Sequence, residues 1–529
     1  MSDAAWQHAC DLQRLREAGR LSVKLGSKQI ALFQVGAEVH ACNNRCPHEG
    51  YPLVAGDLGS DCVLTCHWHN WKFDLRSGAN RYGGDALRIY PVRIEADAVW
   101  VDLREPPAAE RIAQLQRDLD AAMAEHDHPR IAREAARLGR LGVSAEALVT
   151  HALQLGHTRL RYGMTHAFAA AEVWLRLHDR QAEAAARLTC VIEALGHIAY
   201  DSLREAEYPF ASRGLAWDEA AFLAAVEVQD QARAVGHLHG AFEQGLGVPE
   251  LEPALGRAAL AHYNDFGHSL IYLGHVRDLA ARLGPQATRP LLLAWLRALI
   301  FATREDLLPD FNAYAGALSA WPDAVGAARS MPSIEAFVAQ PIKRTLQLAL
   351  DAAAAHAPLA VQQALLGAAA EHLLRFDTQH EQRSDNPVAD NVGWLDCTHA
   401  ITFARAVRRH CSRFPELWPQ GLLQLALFVG RNSAYLDAAS DEHWNVGDVQ
   451  AFDSACEAQL LDHGLQPYIL SVHLLKTWDA MREEIAAGAP ADVQARLRAA
   501  VNRLFHARLK QKHSLRVARQ ALNFVQHEG

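Results

Sequence analysis

Two periods divide this chain. Between residues 20 and 104, apolar and polar positions alternate in short runs, as in "QIALFQV" (29–35) and "AVWVDL" (98–103). In the second run Val99, Val101 and Leu103 fall on one face. Gly and Asp breaks separate the runs, so this region reads as β-structure. The stretch "EPPAAE" (105–110) closes it, because Pro106 and Pro107 stop a strand and permit a helix to start. Beyond it the period is helical: alanine and leucine dominate, and arginine and glutamate fill the outer faces. Short breaks such as "GLGVPE", "LGPQATRP", "RFPELWP" and "AAGAPAD" separate the helices, and no convincing strand follows residue 110. The expected fold class is multidomain α+β. A small all-β domain spans 1–105, and a large all-α domain of helical pairs spans 106–529.

The helical part carries a weak internal repeat. "MTHAFAAAEVWLRLH" (164–178), "FGHSLIYLGHVRDL" (266–279) and "CTHAITFARAVRRH" (397–410) each read as a helix that opens with a small residue and a histidine. A second apolar helix follows the last two, and Asp306 and Asp437 each stand 38 residues after their histidine. One long polar stretch, "DTQHEQRSDNPVADN" (377–391), reads as a loop of the kind that serves a site.

At 529 residues the chain exceeds what one core organises. Its formal charge of -9 argues against nucleic acid or an anionic membrane as the main partner. There is no run of eighteen apolar residues, and Met1 to Cys10 carry no basic-then-apolar signal pattern, so a cytoplasmic location is expected. In a reducing compartment nine cysteines are poor disulfide candidates, and a cluster of them points to metal or redox chemistry. Histidine is abundant, with 28 in all and 23 after residue 105.

The clearest chemical signal is Cys46-Pro-His48, seventeen residues, then Cys66-His-Trp-His69. This pattern, with the flanks "CPH-x-G-x-PL" and "C-x-W-H-x-W-x-FDL-x-x-G", resembles the Rieske [2Fe–2S] domain over roughly residues 10–105. The resemblance implies two thiolates, Cys46 and Cys66, on one iron and two imidazoles, His48 and His69, on the other. A zinc site of two cysteines and two histidines would need none of these flanks. Cys42 and Cys62 fall outside the pattern and read as small buried side chains. His67, between the ligands, is out of register. Rieske proteins of respiratory complexes carry an additional disulfide-bonded cysteine in each loop, where this chain has Tyr51 and Trp68. They also have hydroxyls bonded to the cluster sulfurs, where this chain has Trp71 and Phe73. Fewer such bonds imply a lower potential, as in ferredoxin- and oxygenase-type domains. Asn70 stands where glycine is usual and tolerates the left-handed conformation.

The usual catalytic partner of such a domain is β-rich, and its D/E-x-x-H-x-x-x-x-H signature is missing here. "GHSLIYLGHVRDL" and "THAITFARAV" are similar to segments of the questin-oxidase-like family, helical proteins that oxidise or cleave aromatic polyketides. That resemblance implies a mononuclear iron held by several histidines and a modified lysine, although the nearest charged neighbour of the third motif is Asp396. The residues themselves suggest four inward imidazoles near helix starts: His166, His268, His372 and His399. His268 shares its stripe with Ile271, Tyr272 and His275. His399 shares its own with Thr402, Phe403, Ala406 and His410, with Arg405, Arg408 and Arg409 turned away. Neutral imidazole is the commonest ligand for iron and zinc, and helical bundles hold metals between facing helices. Each could instead be a core histidine bonded to a carbonyl. Asp396 meets His399 across one turn and is a candidate catalytic or ligand-orienting carboxylate. Of His237 and His239, at most one is expected to point inward, and His126, His128, His410, His506, His513 and His527 are expected in solvent.

The expected function is an oxidoreductase in which a Rieske-type domain feeds a helical non-haem Fe(II) oxygenase acting with O2 on a small organic substrate. No nucleotide-binding fingerprint is present, so an external reductase supplies the electrons. The alternative is a redox sensor or electron carrier whose helical domain is a binding scaffold. A di-iron centre ranks lower, since none of the three repeat segments carries an E-x-x-H motif. Substrate and oligomeric state stay open.

Overall fold

The computed structural model describes residues 6–323, 325–387, 391–437, 442–510 and 512–527. Strand follows alternation in the N-terminal region. The strands are β1 (Trp6–Asp11), β2 (Arg20–Leu25), β3 (Lys28–Val35), β4 (Glu38–Asn43), β5 (Asp57–Leu58), β6 (Val63–Thr65), β7 (Lys72–Asp74), β8 (Asn80–Tyr82), β9 (Ile89–Tyr90), β10 (Val92–Glu95) and β11 (Ala98–Asp102). They form three antiparallel sheets, ordered β1-β11-β10, β2-β3-β4-β9 and β5-β6-β7-β8. Two apolar clusters fill this part. One joins Leu15, Ile30, Leu32, Val99 and Val101, and the other joins Phe33, Leu53, Leu64 and Phe73 to Cys46 and Cys66. The second core therefore underlies the loops that follow β4 and join β6 to β7.

Strand gives way to helix where the two prolines predict it, with Pro107 capping the helix Ala108–Ala124. The compact units, however, divide later than residue 105: they are Met1–Val143 and Ser144–Gly529. The first two helices after the strands, Ala108–Ala124 and His128–Arg140, thus belong to the first unit. A buried charge explains this. Asp85, fully inside, accepts from Arg133 at 2.9 and 2.7 Å and pairs with Arg137 at 2.7 Å.

In the second unit every long element among the described residues is helical, and only isolated bridges occur besides. The helical pairs are present: His166–Arg180 packs on Ala184–Ser202, His268–Leu283 on Pro285–Phe301, and Trp394–Cys411 on Trp418–Asn432. The three repeat helices and a fourth, Tyr468–Ala486, close a ring in which each packs on two others. His166 and His268 are the first residues of their helices, as the repeat suggests. The third helix instead starts at Trp394, five residues before His399, because Asp396 reaches back to accept from the N–H of Gly393, the capping residue. Among the described residues no helix is long and apolar enough to cross a membrane.

Three sequence expectations fail on burial. Arg405 faces inward at 2% exposure, and His410 is buried beside Glu252. His237 and His239 are both inside, bonded to the carbonyls of Ala216 and Ala211 at 2.8 Å. A chain segment before their helix covers it closely, with Leu215 against Gly236 and Gly240, so opposite faces are both enclosed. The 377–391 stretch contains a short helix, Gln379–Gln382, and residues 388–390 lie outside the described residues.

Candidate metal centres

In the first unit the two ligand loops are built alike. Cys46 N–H donates to the Tyr51 carbonyl and Gly50 N–H to the Cys46 carbonyl, while Cys66 N–H donates to Trp71 and Asn70 N–H to Cys66. Each loop turns through one left-handed residue, Gly50 at φ 78° and Asn70 at φ 60°. Asparagine meets this demand as expected. Cys46 and Cys66 are buried, whereas the side chains of His48 and His69 are 25% and 42% exposed. Burial pushes the Cys46 thiol up to about 11, with N–H groups of His48 and Glu49 pulling down and the adjacent Cys66 pulling up. Two adjacent sulfurs with N–H donors aimed at one of them, beneath two imidazoles 4.6 Å apart, fit a cluster with both cysteines on one iron and both histidines on the other.

Aromatic and acidic groups surround this centre. Trp71 stacks on His48 at 4.4 Å and 13°. Tyr51 and Trp68 lie parallel across the two loops, 6.3 Å apart. Trp68 Nε1–H donates to Glu49 Oε2 at 2.8 Å, and the Glu49 carboxylate lies 3.9 Å from His48 and 3.8 Å from His69. His67 turns instead to Asp57, at 3.1 Å. Cys62 and Cys42 are buried; Cys62 also lies 3.7 Å from His40, which faces Glu38 at 3.3 Å.

In the second unit the ring of four helices brings four imidazoles together. His268 Nε2 lies 3.1 Å from His166 Nε2 and 2.9 Å from His399 Nε2, and His399 Nε2 lies 3.3 Å from His473 Nε2. The His166 and His473 rings are 4.7 Å apart. The opposite nitrogens are engaged elsewhere. His399 Nδ1 meets the Leu395 carbonyl and His473 Nδ1 the Ile469 carbonyl, both at 2.6 Å. His268 Nδ1 faces Asp265 at 3.4 Å, and His166 Nδ1 meets the Tyr272 hydroxyl at 3.1 Å. A carbonyl or carboxylate only accepts, so His268, His399 and His473 carry their proton on Nδ1 when neutral. Burial keeps them neutral: it drives His399 and His166 well below the ordinary imidazole value, lowers His268, and takes His473 down to about 3. The bare Nε2 lone pairs of His268, His399 and His473 therefore face one another at 2.9 and 3.3 Å with no proton between them. That arrangement repels unless a cation lies among them, and oriented neutral imidazoles suit iron or zinc.

Around the imidazoles the neighbours are few and specific. Lys476, one turn after His473, is fully buried, and among the described residues no carboxylate pairs with it. Its ammonium lies over the Tyr272 ring, 5.4 Å from the centroid, and burial followed by Arg405 takes its pKa down to about 7. The chain enters His268 through three successive left-handed residues, Asp265, Phe266 and Gly267, where Phe266 N–H is held by Glu305 at 3.1 Å. Strain of this kind persists where surroundings enforce it.

Two predicted residues stand apart. His372 is buried, but its Nε2 accepts from Ala339 N–H at 3.2 Å, away from the other imidazoles. Asp396 accepts from Gly393 N–H at 2.9 Å and pairs with Arg431 at 3.0 Å. Asp306 serves His262 and Arg304, so the carboxylate facing a clustered imidazole is Asp265. Sequence reasoning missed His473, Lys476 and Asp265. The signal was present in "SVHLLK", an apolar-flanked histidine followed one turn later by a lysine.

The family model of the Rieske [2Fe–2S] domain matches residues 5–89. The ferredoxin subunit of 3-phenylpropionate/cinnamic acid dioxygenase from Shigella boydii serotype 4 (strain Sb227) is 34% identical over 100 residues, which are 18% of this chain and 93% of that protein. The large subunit of NAD(P)H nitrite reductase from Klebsiella oxytoca is 33% identical over 101 residues, 18% of this chain and 11% of that protein. Among solved structures, the ferredoxin of carbazole 1,9a-dioxygenase from Nocardioides aromaticivorans IC177 matches at 20% identity. It covers 19% of this chain and 99% of that one, with a TM-score of 0.18. None of the three likenesses covers more than a fifth of the chain. The N-terminal domain binds a [2Fe–2S] cluster and serves electron transfer.

Proposed function

We propose that this chain, which belongs through residues 5–89 to the Rieske [2Fe–2S] family, passes electrons from an external reductase to an iron in its helical unit, for oxidation of a small organic substrate by O2. Cys46, Cys66, His48 and His69 hold the cluster, whose chemistry is one-electron transfer at a potential set by its surroundings. His166, His268, His399 and His473 would hold the iron, whose chemistry when bound would be the activation of O2.

The observation that carries this reading is the convergence of four Nε2 atoms whose opposite ring nitrogens are already bonded. The protein's own groups then have definite tasks. Leu395, Ile469 and Asp265 orient three rings and fix their tautomers. Tyr272 orients the fourth and shields Lys476. Three of the imidazoles, His268, His399 and His473, are buried, and His166 is the partly exposed member. The questin-oxidase-like resemblance implies a modified lysine among the ligands, and Lys476 is the buried lysine one turn after His473, whereas Asp396 is taken by Gly393 and Arg431. It also favours an aromatic, polyketide-like substrate.

Nitric oxide added to the reduced, iron-loaded protein tests whether that iron takes a diatomic ligand. A high-spin iron–nitrosyl EPR signal that is lost in His399→Ala, with the Rieske signal intact, supports the reading. A nitrosyl signal unchanged in His399→Ala rejects the ligand set.

A further inference from the structure

A further convergence of donor atoms lies in the first unit, among residues the cluster does not use. Glu38 and His40, two residues apart on β4, share one face of that strand. Cys62 reaches the same place from the turn before β6, where its N–H donates to the Gly59 carbonyl at 3.0 Å. Its side chain is buried, at 1% exposure, and its backbone stands in the left-handed region at φ 65°. That conformation is strained for a residue with a Cβ and persists where the surroundings enforce it. His40 Nε2 lies 3.3 Å from Glu38 Oε2 and 3.7 Å from Cys62 Sγ, and the three ligand atoms all fall within 4.8 Å of one another.

Hydrogen bonding does not satisfy all three groups at once, because a single ring nitrogen carries either a proton or a lone pair. As N–H it serves Glu38, and the sulfur keeps only a weak contact. As a lone pair it accepts from the thiol and faces a carboxylate that repels it. A cysteine nucleophile activated by histidine is no better fit. Its carboxylate would hold the opposite ring nitrogen, whereas Glu38 and Cys62 meet the same one. A cation among the three removes the conflict, and the separations already suit one. Tetrahedral zinc, with sulfur at about 2.3 Å and nitrogen or oxygen at about 2.0–2.1 Å, sets sulfur about 3.6 Å from nitrogen and nitrogen about 3.4 Å from oxygen. Glu38, with its side chain 68% exposed, stands where the site opens to solvent.

We propose that Glu38, His40 and Cys62 form a site for one zinc(II)-class cation, whose fourth ligand is water and whose binding releases the Cys62 thiol proton to solvent. A thiolate beside an imidazole selects such a metal over magnesium or calcium, which take oxygen ligands. The cation acts as a staple. β4 runs toward Cys46 and β6 runs into Cys66, and the two strands belong to different sheets. The ligand loops themselves carry Tyr51 and Trp68 in place of a cross-link, so the cation joins instead the strands that lead to them.

The test adds zinc sulfate to the full chain with its cluster loaded, removes loosely held metal by dialysis, then counts zinc and records its X-ray absorption. The Rieske EPR signal after reduction confirms that Cys46 and Cys66 stay on iron. Wild-type protein is expected to hold close to one zinc per chain more than Cys62→Ala, with a sulfur neighbour at about 2.3 Å that the variant lacks. Zinc taken by the imidazoles of the helical unit is common to both and drops out of the difference. Bound zinc is also expected to slow the decay of the cluster's visible absorbance about threefold in wild type and not in Cys62→Ala. Equal zinc counts, a sulfur neighbour that persists in Cys62→Ala, or a decay that bound zinc leaves unaltered overturns the proposal. Should Cys62→Ala fail to fold, Glu38→Gln at the exposed edge of the site decides. It is expected to weaken zinc binding about tenfold or more in competition with a chelator, and an unchanged affinity overturns the site.

Discussion

His372 and His473 show how little a residue's type and burial decide. Both are buried in helices, and burial takes each down to about 3. One ring meets a backbone N–H and the other meets imidazoles. Apolar periodicity shows that a side chain points inward but not what waits there, which is why the sequence suggests His372 and passes over His473. Metal analysis of two variants separates them. His473→Ala is expected to lose the helical-unit iron, whereas His372→Ala keeps it and costs about 2–4 kcal/mol in chemical unfolding. At the cluster, legibility was better, because the flanking residues carry the geometry along with the ligands. Tyr51 and Trp68, read from sequence as replacements for a cross-link, do pair across the two loops, and Glu49 ties Trp68 to the first loop. Trp68 and Glu49 are both more than half exposed, so the contact is modest. Trp68→Ala should weaken loop closure by about 1 kcal/mol and speed cluster loss about fivefold, followed by the decay of visible absorbance.

Among the elements, the period change near residue 105 was readable because prolines mark it, but the unit boundary was not. Asp85 lies in a loop with no pattern of its own, and only its place in space joins it to Arg133 and Arg137. Burial raises its pKa, and the two arginines outweigh that and leave it below the usual carboxylate value. Because the native value is depressed, this stabilisation is full above the ordinary carboxyl pKa of 3.8 and is lost as pH falls through the native value. Asp85→Ala, which removes a fully buried carboxylate from the partly exposed Arg133 and Arg137, is expected to destabilise the first unit by about 1.5–3 kcal/mol. Calorimetry of the variant at neutral pH checks the magnitude, and the difference from wild type should shrink in acid. In the second unit, the neutral burial of His372 works in the same direction at higher pH. The unfolded chain takes up the imidazole proton first, near 6.5, so His372 by itself costs the metal-free protein up to about 1.4 kcal/mol per pH unit between there and about 3, added to what the other buried imidazoles cost. Denaturant melts from pH 7 to 4 should fall more steeply than that, and His372→Phe should lower the slope by up to about 1.4 kcal/mol per pH unit without removing it.

The whole molecule joins an electron-transfer domain to a helical unit whose central ring of helices is built around imidazole. The three-fold repeat in the sequence accounts for three of the four helices in that ring, and the fourth escaped notice because its histidine sits inside the helix rather than at its start. His399 is likewise internal, yet it was found through its small-residue neighbour. Once the ring is seen, the charges ten residues after each histidine, Arg176, Asp278, Arg409 and Glu483, show the fourth helix to be of the same kind as the others. The central claim is that this ring holds a metal of its own, separate from the cluster. Iron analysis of anaerobically loaded protein, with spin quantitation of the reduced Rieske signal, tests it most directly. The account predicts close to three irons per chain, two of them in the cluster and one released by His473→Ala. Two irons per chain, all accounted for by the Rieske signal, would contradict it and leave the helical unit as a scaffold for an electron carrier.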